Sequence, residues 1–336
     1  RCGAGIKARA KAGPVGDNID SSVPDVSILI VGYNSGGVIR ACLDAIPAAC
    51  SAYCYEVLFV DNGDGTTAGL VSREYPTVRI IPSKGNVGFA AGNNMLAAEA
   101  TAPFLLLANP DLEMRCGAVD ELMKASQRYP AAAAWGGVTL GRDGRPDIGN
   151  TVHVPSLREM ASRVVGRSLS RMPEDSDFSH DELAQALSGG FVMLSRTAWD
   201  EAGGLDERYF LYCEEVDLFF RLAMKGYGFW RIGAARAFHD AGHGNDFSEA
   251  RLLYKAAGTM QFARQHWSYP SEVAAFLLIW LAGAQRFFIG KVFGNNAPRL
   301  RKVGEGYRRM TLSPGYWRHG YHPDKGLLAK LNRPVL

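Results

Sequence analysis

The chain has no stretch of about 20 apolar residues, the length that crosses a bilayer. Its most apolar uncharged run, residues 273–284, has 12 residues and is expected to be an interfacial or core-packing helix. Cysteine is sparse and scattered, at Cys2, Cys42, Cys50, Cys54, Cys116 and Cys213. Only Cys50 and Cys54 are close, and no His or further Cys stands beside them to complete a zinc site. The six are expected to be reduced thiols in a cytoplasmic protein. A dominant charge is also missing. The formal net charge is +3, which gives no reason to expect a nucleic-acid partner. Residues 1–24 start basic but have no apolar centre, so they do not read as a secretory signal. They are expected to be a disordered extension.

What is present points to a folded protein. Of 336 residues, 47% are apolar and 21% charged, enough for one large domain or a core with appendages. The charge that exists is unevenly placed. From Arg286 onward come Lys291, Arg299, Arg301, Lys302, Arg308, Arg309 and Arg318, interrupted by few acids such as Glu305 and Asp324. A basic tail beside an apolar run suits an anionic surface, such as the inner face of a membrane. A helix packed on the core with a solvated tail fits the same residues.

Hydrophobic patterning gives an α/β fold. Val26-Ser27-Ile28-Leu29-Ile30-Val31-Gly32 reads as a strand covered on both faces. Asn34-Ser35-Gly36-Gly37 reads as a turn able to cap the next helix. Strands follow at residues 56–61, 78–81 and 104–108, separated by helical segments near 67–74 and 88–100 and followed by one at 116–128. This alternation means βαβ units on a mostly parallel sheet flanked by helices. Residues 141–187 are irregular and are expected to form an excursion over the site. Residues 189–194 return to a strand, residues 215–225 form a helix stopped by Gly226, and residues 254–267 look helical.

In open parallel sheets, ligands bind at the carboxyl ends of strands. Polar residues stand there: Tyr33 and Asn34 after the first strand, Asp61 after the second, and Asn109-Pro110-Asp111 after the fourth. Asp61 suits the N–H of a nucleobase, or else caps a turn. Asp111 suits a divalent cation bridging two phosphates, since Mg2+ or Mn2+ needs only one or two carboxylates beside phosphate oxygens. Residues 85–94 form a Gly/Asn-rich loop opening a helix, a setting suited to an anion, although it matches neither the P-loop nor the dinucleotide fingerprint. Glu214-Glu215-Val216-Asp217 crowds three carboxylates beside aromatic residues. Crowding and desolvation raise a carboxylate's pKa and suit it to general-base work. Asp217 lies four residues before Arg221, the spacing of a structural ion pair. His239 and His243 flank a Gly-containing loop able to reach phosphate or metal.

In order along the chain, these segments resemble the family-2 glycosyltransferases, rhamnosyltransferase-like branch. The resemblance rests on residues 26–34, Val60-Asp61-Asn62, Asn86-Val87-Gly88-Phe89-Ala90 with Asn94, Asn109-Pro110-Asp111, Ser188-Gly189-Gly190-Phe191, Phe210-Leu211-Tyr212 through Glu214-Glu215-Val216-Asp217-Leu218 with Arg221, and His239. It covers residues 25–267 and implies a GT-A fold, with residues 268–336 as a C-terminal helical, basic, membrane-associated segment.

It also implies roles. Tyr33, Asn34, Asp61, Asn86, Gly88, Asn94, Asn109, Asp111 and Gly190 would line the nucleotide-sugar site. Asp111 and His239 would hold Mg2+ or Mn2+, and Glu215 or Glu214 would be the base. Position 215 is Glu where the family commonly has Asp, and Asn109 replaces the first Asp of its metal motif. The implied reaction is inverting transfer of a sugar, rhamnose favoured, from a dTDP- or UDP-sugar to a hydroxyl of a glycan or polyprenyl-linked acceptor. A non-catalytic nucleotide-sugar-binding protein and a sugar nucleotidyltransferase are the competing readings.

Overall fold

The computed structural model describes residues 23–150, 152–166, 178–239, 248–295 and 297–330. The extension expected at the N-terminus lies outside them except for residues 23 and 24, and His243 lies outside as well. The first half runs β1 (Val26–Gly32), α1 (Ile39–Ala49), β2 (Tyr55–Asp61), α2 (Thr66–Glu74), β3 (Arg79–Ile80), α3 (Phe89–Glu99), β4 (Phe104–Ala108), β5 (Leu112–Met114), α4 (Ala118–Arg128) and β6 (Ala132–Leu140). Then come α5 (Leu157–Val164), β7 (Glu182–Leu183), β8 (Phe191–Ser195), α6 (Arg196–Ala202), α7 (Glu214–Met224) and β9 (Gly228–His239). The rest is helical: α8 (Glu249–His266), α9 (Tyr269–Phe293), α10 (Pro298–Gly306), α11 (Arg308–Leu312) and α12 (Leu327–Lys330).

One sheet runs β3-β2-β1-β4-β8-β6-β9-β5, with β7 paired to β9. β1, β2, β3, β4, β6 and β9 point one way, and β8, β5 and β7 run against them. The expected mostly parallel sheet is present. Every residue of β1 is buried because both faces are covered. Val26, Ile28 and Ile30 join α1 and α4 on one side. Leu29 and Val31 join α3, α6 and α7 on the other. β1 pairs in parallel with β2 on one side and β4 on the other, so the chain reverses its direction of travel across the sheet there. That opens a crevice at the strand ends.

Sequence patterning missed β5, β6, β7 and β9. β6 reads Ala132-Ala133-Ala134-Trp135-Gly136-Gly137, with little β propensity. Its strand form comes from neighbours, since a Cβ at Gly137 would stand 2.0 Å from the Phe191 ring. The turn after β1 also differs from expectation. No side chain caps α1; the Ser35 carbonyl accepts from the N–H groups of Val38 and Ile39, both at 3.0 Å.

The C-terminal helices form a third core around Tyr209, Tyr254, Phe262, Trp317 and Tyr321. This core joins residues on both sides of the break expected at residue 267. The short apolar run becomes a 25-residue helix, α9. Arg286 does not end it, because its Nη1 donates to the Ala282 carbonyl at 2.7 Å while the guanidinium lies 5.7 Å from the Tyr307 ring centroid.

Candidate active site

One end of the crevice is built by the turns after β1, β2 and β3. Asn34 takes a left-handed backbone, φ 49°, a conformation that asparagine tolerates. Asp61 is almost fully buried. Its Oδ1 accepts from Gly63 N at 2.8 Å and its Oδ2 from Ala68 N at 3.0 Å, so it ties the turn to the start of α2. Each oxygen keeps a lone pair. Beside it lies a cavity of about 390 Å³ lined by Asp61, Gly63, Ala68, Ile80, Ile81 and Ser83 among others. An apolar slot with a carboxylate at its edge suits a flat heterocycle with an N–H.

The Gly-rich loop is stitched to the segment before α7. Gly88 has φ +88°, and a Cβ there would stand 2.5 Å from the Phe210 carbonyl oxygen. That carbonyl accepts from Phe89 N at 2.8 Å, and Asn62 Nδ2 donates to the Gly88 carbonyl at 2.9 Å. Asn86 Oδ1 accepts from Gly88 N at 3.2 Å. Gly88 is therefore demanded by close backbone approach. Asn94 sits one turn into α3 and faces elsewhere. Its amide donates to the Leu205 carbonyl (2.8 Å) and Glu207 (3.0 Å) and accepts from Leu205 N (3.0 Å). It clamps the loop before α7, with its amide already committed to that loop.

At the end of β4, Asn109 N donates to the Gly190 carbonyl at 3.0 Å, and a Cβ on Gly190 would stand 2.8 Å from Asn109 Nδ2. Asp111 Oδ1 lies 3.4 Å from His239 Nε2, and the Asn109 amide lies 3.2 Å from the same nitrogen. His239 ends β9, and its Nδ1 lies 3.0 Å from Asp147 Oδ2. Burial works against charge on the ring, but the two flanking carboxylates outweigh it and raise the pKa to about 9. Asp147 moves the other way. Burial raises its pKa, but hydrogen bonds, His239's first, bring it below the usual range. No sequence motif marks Asp147; its partner is 92 residues away, and it arrives from the irregular excursion.

The carboxylate cluster opens α7. Tyr212 and Cys213 just before it both have left-handed backbones, φ 71° and 73°. Two successive non-glycine residues in that region are strained, a condition that concentrates at functional sites. Neighbouring helices hold them there. A Cβ on Gly258 of α8 would stand 2.4 Å from the Tyr212 carbonyl oxygen. The Tyr321 hydroxyl donates to the Leu211 carbonyl, with the Tyr254 carbonyl 3.0 Å away.

The three acids then diverge. Asp217 accepts from Arg221 Nε at 2.7 Å and faces His266 Nε2 at 2.7 Å, the structural pairing its spacing predicts. Glu214 Oε2 and Glu215 Oε2 are buried with no hydrogen-bond partner. Burial, then the Glu215 charge, pushes the Glu214 pKa well up. Burial also raises Glu215, which backbone donors and Lys255 partly offset. Both carboxyls are thus held above the ordinary glutamate range, Glu214 with the Glu215 charge added to its burial, and the pair titrates as a unit.

The glutamates therefore have distinct places. Glu215 Cβ lies 3.5 Å from where a Gly189 Cβ would be, so it borders the Gly189-Gly190 turn at the strand ends. Glu214 is buried toward the C-terminal core. Because its folded pKa is raised, its stabilising contribution is complete below the unfolded value of about 4.3 and is lost as pH rises toward the folded value. Glu214→Gln should therefore melt above wild type at pH 8 and converge with it near pH 4, by about 2–4 °C for each kcal/mol relieved. Calorimetry at both pH values checks this; a variant no more stable at pH 8 would contradict the buried neutral acid.

The structure thus brings Asp61, Asn86, Gly88, Asn109, Asp111, Gly190, Glu215 and His239 to one crevice. A family model for glycosyl transferase family 2 matches residues 27–200. The chain belongs to glycosyl transferase family 2. The described cysteines are free thiols.

Among relatives of this family 2 enzyme, the N-acetylglucosaminyl-diphospho-decaprenol L-rhamnosyltransferase of Mycobacterium tuberculosis is 33% identical over 213 residues, 56% of this chain and 67% of the relative. Rhamnosyltransferase WbbL of Escherichia coli K12 is 27% identical over 236 residues, covering 66% and 85%. Solved structures share the GT-A fold. The mannosyltransferase PcManGT of Pyrobaculum calidifontis, in complex with GDP-Man and Mn2+, has a TM-score of 0.52 at 16% identity, covering 93% of this chain and 88% of its own. GalNAc-T7 with UDP, GalNAc and Mn2+ has a TM-score of 0.54 at 11% identity, covering 88% and 57%. The family 2 enzyme is a nucleotide-sugar glycosyltransferase that builds polysaccharide.

Proposed function

We propose that this glycosyltransferase moves rhamnose, with inversion, from a dTDP- or UDP-linked donor to a hydroxyl of a polyprenyl-diphosphate-linked glycan, at the inner face of the plasma membrane. The observation that carries the reading is the buried, unequal Glu214/Glu215 pair at the head of α7, beside the Gly189-Gly190 turn. Rhamnose and the lipid-linked acceptor are supported by the names of the Mycobacterium and Escherichia relatives.

In this reading Asp61 and the slot beside it take the base. Tyr33, Asn34, Asn86, Gly88, Asn109 and Gly190 form the wall along the ribose, diphosphate and sugar, and Asn94 fixes the loop that closes it. Glu215 takes the proton of the acceptor hydroxyl as that oxygen attacks the anomeric carbon and the bond to the diphosphate breaks. In this reading Glu214, raised by burial and by the Glu215 charge, keeps the pair's proton and Glu215 carries the negative charge. That charge also favours the positive character that develops on the sugar.

A divalent ion, Mg2+ or Mn2+, fits the donor set. Asp111 would supply a carboxylate, and His239, charged at neutral pH, would give up its Nε2 proton to ligate the ion while Asp147 holds Nδ1. No group of three or more His, Cys, Asp or Glu side chains is arranged to hold a metal among the described residues. Diphosphate oxygens and water would complete the shell. When bound, such an ion offsets charge on the departing nucleoside diphosphate.

The test is a thermal-shift panel with UDP, dTDP, GDP and NAD, each with and without manganese. A ligand selective for the folded state raises the melting temperature by mass action. A manganese-dependent rise with dTDP or UDP is the expected result. No shift with any nucleoside diphosphate at millimolar concentration would sink the reading.

A further inference from the structure

Helix α9 is assembled the opposite way from a core helix. Its fully buried positions are small, at Ala275, Ala282, Gly283, Ala284 and Gly290; Phe276, Leu278, Ile279 and Trp280 pack half-buried against the C-terminal core, while other large apolar side chains face out. Leu277 is 53% exposed, Leu281 46%, Phe288 52% and Val292 66%. Spaced four, seven and four residues apart, these four share one helix face. Phe293, 59% exposed, extends the patch near the helix's end, and Leu300 of α10 is a further exposed apolar residue nearby in sequence. A helix apolar on all sides is normally buried or in lipid. A contiguous exposed apolar surface marks an interaction site.

The inner face is occupied along its whole length. Glu272 pairs with Arg264 at 2.8 Å, Trp280 Nε1 donates to the Thr311 carbonyl at 3.0 Å, and a Cβ on Gly290 would stand 2.6 Å from the Gly304 Cα. The helix is long enough to cross a bilayer, at about 37 Å for 25 residues. Its packing on α8, α10 and α11 means that only one side of it is open to lipid.

The charge beside the patch is mainly positive, although Arg309 lies 3.7 Å from Glu249. Lys291, Arg299, Arg301, Lys302, Arg308 and Arg309 are exposed, and Glu305, paired with Arg301 at 3.0 Å, is the acid among them. We propose that the outer face of α9, with this cationic fringe, docks in the plane of a membrane rich in anionic lipid, seating Leu277, Leu281, Phe288 and Val292 among the acyl chains. This deepens the lipid-linked-acceptor reading, on which it rests for its purpose, by naming the surface that meets the bilayer.

The test is flotation of the full chain with vesicles of phosphatidylcholine alone or with roughly one third phosphatidylglycerol, at low and high salt. The expected result is binding to the anionic vesicles, weakened by salt, and at least about tenfold weaker for the double variant Leu281→Gln/Phe288→Gln. Transfer to a short-chain soluble acceptor should be unchanged in that variant. Failure of wild type to float, or equal flotation of the variant, overturns the proposal. So does a dimer in light scattering that the same substitutions disperse, because a second copy would then cover the face. If the protein floats but transfers no sugar, the functional reading fails and the docking surface stands.

Discussion

Glu215→Gln is expected to lower kcat for sugar transfer by about three orders of magnitude while leaving nucleoside diphosphate affinity within about threefold. The substitution keeps the shape of the side chain and removes its basicity. Donor binding should survive because the base slot and the Asn109–Gly190 turn lie on other elements. The Glu214 carboxyl next to it does not substitute, since burial and the Glu215 charge make it hard to ionise.

A second readout follows from the raised pKa of Glu215. A base must be deprotonated, so as pH falls through a raised value the rate should fall, and it should do so above the ordinary range of a glutamate near 4.3. Burial lifts that limb and Lys255 restrains it, so Lys255→Met should move it further toward alkaline pH. Steady-state kinetics across pH with isothermal titration of the diphosphate decides the matter. A Glu215→Gln enzyme within tenfold of wild type, or an acid limb that Lys255→Met leaves in place, would move the base elsewhere.

Asp111→Asn is expected to remove the manganese dependence of donor binding and to lower kcat/KM by about a hundredfold or more. Asparagine keeps the size of the group but lacks the charge that attracts a divalent ion beside a diphosphate. It also leaves His239 with one carboxylate partner in place of two, so the imidazole should titrate lower than about 9. NMR of the His239 ring reports that shift without any ligand, and manganese titrations with dTDP and UDP report the metal. Unchanged manganese-dependent affinity in the variant would take Asp111 out of the metal's coordination shell. An unchanged His239 titration would mean that Asp147 alone holds the ring.

Much of the crevice was legible because its residues obey local rules. β1 is apolar throughout because both of its faces are covered. Asp61, Asn109 and Asp111 stand where parallel strands end. Asp217 and Arg221 meet because four residues is one helical turn. Gly88 reads as a loop glycine, yet its necessity comes from the Phe210 carbonyl, 122 positions along the chain. Asn94 shows the limit from the other side: an asparagine at the start of a helix beside a Gly-rich loop looks like a ligand, and only its bonds to Leu205 and Glu207 show what it holds.

By itself, the sequence determined the α/β class, the order of strands and helices through residue 128 apart from the short β5, the carboxylate cluster and the polar strand ends. Each follows from hydrophobic period, turn chemistry or fixed spacing, which act over a few residues. Tertiary structure decided the rest, where the interacting groups are far apart in the chain. Asp147 reaches His239 across 92 residues. β6 is a strand because β8 and β9 flank it. Glu214 and Glu215, neighbours of the same type, are both raised by burial, yet it is Glu215 that borders Gly189. The outward face of α9 became visible only when its inward face was filled, since an apolar helix carries no mark in its sequence of which side will be left without protein.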